Sequence, residues 1–299
     1  MKNKKDFLGM ICAAVPNIIF GFSFMFSKTA IKYAHPLIVL AVRFTAAFAL
    51  MNILWLIGAV KINLKGKNIK KVLLMALMQP LCYFIFELYG IAGTTSALSG
   101  VIISLVPIGV IIISGLFLKE KPTAAQVVCS VIAVAAVSAI SIMQSTDGKN
   151  GFLPILLLIA AVICASLFNV LSRSCADEFS AVERTYIMFA VGAAGFDLIA
   201  PAVLRADFLP EFLRAAQSLQ FWGAVFYLSA ISSVAAFLLY NYATTVISAV
   251  RAASFSNVIT VVSVAAGILI LGEKMNIMQI VCCAAIICGV YGVNRVKTR

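Results

Sequence analysis

The chain has 299 residues, of which 63% are hydrophobic and 11% charged; it carries one histidine, a formal net charge of +12 and a mean hydropathy of +1.08. A soluble domain of this length is roughly 45–50% apolar and about a quarter charged, so too few polar side chains exist here to cover a globular surface. These values exclude disorder, a coiled coil and an ordinary soluble enzyme, and they leave a polytopic membrane protein. Charges are missing over 7–27, 88–118, 122–146, 215–250, 252–272 and 275–294, and a helical span needs about 20 apolar residues. The stretches lack the alternation of a barrel strand, so helices are expected.

Apolar length and breaker residues place ten spans, at 7–31, 36–60, 71–93, 96–118, 123–143, 152–174, 182–204, 219–244, 248–271 and 276–295. Residues 1–26 superficially resemble a signal peptide. The apolar stretch is too long for one and further spans follow, so it is read as a retained first helix. The positive charge sits in clusters between spans rather than in a nucleic-acid-binding surface: Lys2, Lys4 and Lys5, then Lys61 to Lys71, then Arg295, Lys297 and Arg299. By the positive-inside rule both termini are cytoplasmic and the protein is expected in the inner or plasma membrane. Lys28, Lys32, Lys149, Arg205, Arg214 and Lys274 then fall outside. The outer loop 205–218 has apolar residues at helical spacing, the pattern of a short interfacial helix or of a plain connector. The eight cysteines form no Cys-x-x-Cys or Cys/His cluster, so packing roles are expected and no metal or cofactor is called for.

The chain repeats itself. Leu116, Leu118, Glu120, Lys121, Gln126, Val128 and Cys129 recur 153 residues later as Leu269, Leu271, Glu273, Lys274, Gln279, Val281 and Cys282, and Tyr89 recurs as Tyr242. A shift of 145 pairs Gly21, Phe24 and Lys28 with Ser166, Asn169 and Arg173. Two repeats of five spans follow, residues 1–146 and 147–299. An odd number of spans inverts one copy relative to the other, an architecture found mainly in secondary transporters.

The motifs Leu118-Lys119-Glu120-Lys121 and Leu271-Gly272-Glu273-Lys274, the segment Phe20-Gly21-Phe22-Ser23-Phe24, Arg43-Phe44, and Glu87-Leu88-Tyr89-Gly90 with Thr94-Thr95-Ser96-Ala97 carry a resemblance over essentially the whole chain. The sequence resembles the drug/metabolite transporter superfamily, EamA type. That resemblance implies an all-α membrane protein of ten helices in two inverted repeats. It also implies transport, mostly export of amino acids and other small metabolites from the bacterial cytoplasm. Phe20 stands where the family often has tryptophan.

Ionisable groups inside spans are costly, about 2.5–3.5 kcal/mol at a helix centre, and face the bundle interior. Glu87 and Arg43 are placed roughly 6–7 Å from the midplane on adjacent helices, where they form either a structural ion pair or a proton-dependent switch. Asp197, at similar depth, is read as structural, held by hydroxyls or water. Lys28 is read as snorkelling to the interface. Phe24, Glu87, Ser104, Asn169, Tyr240 and Asn257 are the expected lining of a substrate pathway, with Glu87 and Arg43 coupling it to protons. The Ser96, Gly100, Ser104 stripe is equally suited to close packing. Pro16, Pro80, Pro107 and Pro201 are candidate kinks.

No enzyme constellation is present: His35 lies in a turn, and neither a Gly-x-Ser-x-Gly nor a phosphate loop occurs. The expected partners are a small-molecule substrate, the lipid bilayer and protons. The competing readings are a nucleotide-sugar or sugar-phosphate exchanger and an intramembrane transferase.

Overall fold

The computed structural model describes residues 2–118, 152–247, 249–253 and 255–273, with scattered positions between 128 and 136 and between 277 and 288. The predicted fifth and tenth spans lie largely outside the described residues, as do Glu120, Lys121 and Lys274. The described elements are all helical. They run α1 Lys2–Ala30, α2 Pro36–Leu56, α3 Lys70–Ala92, α4 Ser96–Ile103, α5 Val106–Leu118, α6 Phe152–Ser174, α7 Ala181–Leu204, α8 Phe208–Ala216, α9 Leu219–Val246, α10 Ala249–Ala253 and α11 Ser256–Leu269. Among the described residues, seven stretches are long and apolar enough to cross a membrane, and the ninth predicted span is represented by a shorter apolar helix.

Local chemistry starts these helices where a polar side chain replaces the missing backbone partner. Pro36 opens α2 after a His35 cap, Thr95 caps α4, Ser218 caps α9, and Ser180 with Glu183 forms a reciprocal capping box on α7. Large apolar residues such as Leu56, Ile57, Leu198 and Phe226 face outward, as a hydrocarbon solvent favours. Segment 205–218 contains the short helix α8, with Leu209 and Leu213 exposed.

The loops pair as an inverted topology requires. At one end Lys67 meets Glu183 at 2.6 Å and the Asn68 amide donates to Glu178. At the other, the Tyr33 hydroxyl meets Gln220 and the His35 amide donates to Glu211, each at 2.7 Å. Inside the bundle, α1 packs on α9 and α11, while its counterpart α6 packs on α3 and on α4 and α5; α2 and α7 pack on each other. Contacts are matched residue by residue. Lys28 donates to the carbonyl of Ile91 at 2.8 Å and, weakly, to that of Ala92 at 3.5 Å, at the end of α3. Arg173 donates to Thr244 and Thr245, at 3.0 Å each, at the end of α9. Thr244 and Thr245 lie 153 residues after Ile91 and Ala92.

A second matched contact has exchanged its small residue. Gly21 of α1 lies so close to α11 that an added Cβ would sit 2.6 Å from Val262 Cβ, whereas in the other copy Gly109 of α5 leaves room for Ser166 of α6. One side of each crossing must lack a side chain. Gly21→Val is expected to overpack the α1–α11 crossing by about 1–3 kcal/mol, read as a lower thermal midpoint of the detergent-purified protein. Val262→Ala in the same chain should recover part of the loss; an unchanged midpoint would contradict the close approach.

Candidate functional site

Among the described residues, two spans in each half are interrupted, at nearly equivalent positions. In α3 the segment Leu77–Cys82 leaves α-helical geometry, with Gln79 extended (φ −147°, ψ 116°) before Pro80; the equivalent part of α9, Tyr227–Ala235, is π-helical. The fourth span breaks at Ser104 and Leu105, between α4 and α5, and the ninth at Phe255, between α10 and α11. Of the candidate prolines, Pro80 and Pro107 lie at these breaks; Pro16 and Pro201 lie inside continuous helices. Irregular backbone at membrane depth is tolerated only where protein or a polar cavity covers it, and here the breaks surround a cavity.

The cavity consists of two adjoining chambers that share Phe20, Gln79, Tyr83, Phe237 and Ile259. The smaller, about 310 Å³ including its opening, is lined further by Ser23, Phe24, Arg43, Phe84 and Glu87. Arg43, on α2, sends its Nε to Ser233 at 3.0 Å and Nη2 to Ser232 at 3.4 Å, both on the irregular stretch of α9. Its guanidinium also lies 4.2 Å from the Phe84 ring centre, a cation–π contact that partly replaces lost hydration. Glu87 is only 4% exposed and accepts a 2.7 Å hydrogen bond from the Tyr83 hydroxyl. The expected Arg43–Glu87 ion pair is absent: among the described residues no contact within 4.0 Å joins them. Each instead has neutral partners of its own, which leaves a buried cation and a buried carboxylate facing one space.

The larger chamber, about 450 Å³ including its mouth, has no Lys, Arg, Asp or Glu among its described lining. Asn17, Gln79, Tyr83, Asn169, Tyr240 and Ser256 supply its polar groups. The Tyr240 hydroxyl donates to Asn169 Oδ1 at 2.6 Å, and Asn169 Nδ2 donates to the Ala165 carbonyl at 2.8 Å. Phe237 stands between the chambers, with ring centres 5.1 Å from Phe20, 6.3 Å from Phe84 and 6.1 Å from Phe168.

Of the residues expected to line the pathway, Phe24, Glu87, Asn169 and Tyr240 face these chambers. Ser104 does not: it is buried in the break of the fourth span, where its hydroxyl donates to the Val101 carbonyl at 2.6 Å. Gly100 beside it packs against Ser263. The side chain of Asn257 lies outside the described residues. Asp197 lies on the exposed surface of the bundle and accepts from the Thr45 hydroxyl at 2.8 and 2.7 Å.

Sequence reasoning missed Gln79, Tyr83 and Ser256 among the chamber residues. It also missed Arg184. Arg184 is fully buried and donates to the Ser172 carbonyl (2.6 Å) and hydroxyl (2.7 Å), the Thr244 hydroxyl (3.0 Å) and the Asn241 carbonyl, tying α6, α7 and α9 together. Its place one residue inside the capped start of α7 was the available signal.

Comparison with known proteins follows the same outline. Residues 7–142 and 152–295 each match the EamA-like transporter family. The chain is 32% identical to the uncharacterized transporter YcxC of Bacillus subtilis, over 95% of this chain and 92% of that protein. It is 25% identical to an uncharacterized transporter of Archaeoglobus fulgidus, over 95% and 98%. A solved structure described only as a crystal structure of protein superposes with a TM-score of 0.67 at 15% identity, covering 95% of both chains, and so shares the fold.

Replacing Arg184 with Met removes a donor from four buried oxygen acceptors on two neighbouring helices. The expected loss is about 1.5–3 kcal/mol, measured as a lower thermal midpoint, with Arg184→Lys losing less; a variant as stable as the parent would remove Arg184 as the tie between these helices.

Proposed function

Because this chain belongs to the EamA-like transporter family, we propose that it carries an amino acid or similarly sized zwitterionic metabolite across the cell membrane by alternating access, in the direction of export. The observation that carries this reading is a buried guanidinium and a buried carboxylate that line one chamber without bonding each other. Such a pair fits a substrate bearing a carboxylate for Arg43 and an ammonium for Glu87. Either charge alone would be costly to desolvate; a zwitterion neutralises both at once.

Alternating access needs contacts at each end that hold in one state and release in the other. The charged helix-end contacts suit that role. At one end Lys28 holds carbonyls of Ile91 and Thr94, while Glu273 accepts from the amides of Ser96 (2.8 Å) and Ala97 (3.1 Å). Arg173 is the counterpart at the other end. Glu87 is the coupling group of this reading: protonated when its ligand leaves, it would link proton movement to the change of state.

A nucleotide-sugar or sugar-phosphate exchanger requires several cations converging on phosphate. Lys28 and Arg173 are committed to helix ends, and among the described side chains Arg43 is the lone Lys or Arg facing the chambers, so this alternative is less well supported. An intramembrane transferase would show chemical conversion without translocation. The deciding experiment is flux of amino acids in proteoliposomes with and without a pH gradient. Glu87→Gln is expected to abolish the pH dependence of transport while sparing membrane insertion; a variant whose flux still follows the gradient would take Glu87 out of the coupling step.

A further inference from the structure

Among the described residues, the chamber with no charged lining holds polar groups that lack a hydrogen-bond partner. Gln79 lines both chambers and is 7% exposed, yet among the described residues its carboxamide makes no hydrogen bond. Ser256 lines the larger chamber, is 4% exposed, and its hydroxyl also lacks a partner. Burying such groups unmatched is unfavourable, and natural interiors avoid it outside functional sites.

The duplication sharpens the anomaly. Gln79 and Pro80 correspond, 153 residues on, to Ser232 and Ser233. Both pairs lie on an irregular stretch of a span; Gln79 faces the cavity itself, whereas the serines reach it only through Arg43. The serine pair is occupied in holding Arg43; the glutamine is left free where the two chambers join.

We infer that Gln79, assisted by Ser256, determines specificity by reading an uncharged hydrogen-bonding group on the substrate, such as a side-chain carboxamide or hydroxyl. This rests on the zwitterion-transport reading above, with the α-ammonium and α-carboxylate in the charged chamber and the side chain in the neutral one. A carboxamide both donates and accepts, so it matches either group. A second charge would enter a chamber whose described lining offers no counter-ion and would be rejected by its own desolvation. A purely apolar side chain would fit among Phe20, Phe168 and Phe237 but leave Gln79 unmatched, and sites built to bond a polar group discriminate strongly against analogues lacking it.

The test is counterflow in proteoliposomes of the full chain, using labelled glutamine, threonine, leucine, lysine and glutamate. The wild type is expected to move glutamine and threonine at least about 10-fold faster than leucine, with lysine and glutamate slower still. Gln79→Met, similar in length but unable to donate, should bring the glutamine-to-leucine ratio near unity. Ser256→Ala should lower the ratio by a smaller factor, and Gln79→Asn should keep its direction. Gln79→Glu, nearly isosteric, guards against a misfolded Met variant: it should raise lysine relative to glutamine about 10-fold. An unchanged ratio in the Met variant, an unchanged lysine preference in the Glu variant, or a wild type that favours leucine overturns the role of Gln79 and leaves zwitterion transport standing. A wild type that moves none of the five defeats the transport reading, and this one with it.

Discussion

A helix that ends or breaks inside a membrane leaves backbone groups that hydrocarbon cannot satisfy, and this constraint organises the whole structure. Lys28 supplies donors to the carbonyls that close α3, and Glu273 supplies acceptors to the amides that open α4. Each charge also sits at the end of the helix dipole that favours it. The turn between the third and fourth spans is therefore held by side chains from the first span and from the far end of the chain. Gly267 makes this possible, since a Cβ there would lie 2.4 Å from the Glu273 carboxylate. Two charges thus fix the position of the third and fourth spans, and those spans carry Gln79, Tyr83 and Glu87 into the cavity.

The same constraint explains what could be read from the sequence. The helical spans were legible because hydrocarbon demands long apolar stretches. Repeated Glu-Lys turns exposed the duplication because such pairs rarely coincide among apolar residues. Arg43 and Glu87 stood out as charges in spans, and Asn169 and Tyr240 followed from their pairing with Phe24 and Glu87 across the repeats. These signals report depth and face. They do not report rotamer or the partner on another helix, so the expected ion pair between Arg43 and Glu87 resolved into separate contacts with Ser232, Ser233 and Tyr83.

Gln79 and Ser256 escaped notice for a related reason. Neither is rare or costly enough to draw attention in an apolar sequence; Ser256 becomes unusual once its burial and missing partner are known, and Gln79 once it is seen where the two chambers join. Ser104 failed in the opposite direction: its stripe of small polar residues is equally compatible with lining a cavity or with helices packing closely, and its hydroxyl turned back to its own helix. Arg184 was hidden by lying at the junction of a loop and a span, where a cation normally reaches water but here is enclosed by α6, α7 and α9.

The exchanged glycine at the matched helix crossings bears on the history of the fold. Gly21 faces Val262 in one crossing, while Ser166 faces Gly109 in the other. An assembly of two first halves would set glycine against glycine and leave a void; two second halves would set serine against valine and collide. Each half has thus come to complement the other's shape, and an ancestral pairing of identical units can no longer be rebuilt from either half alone.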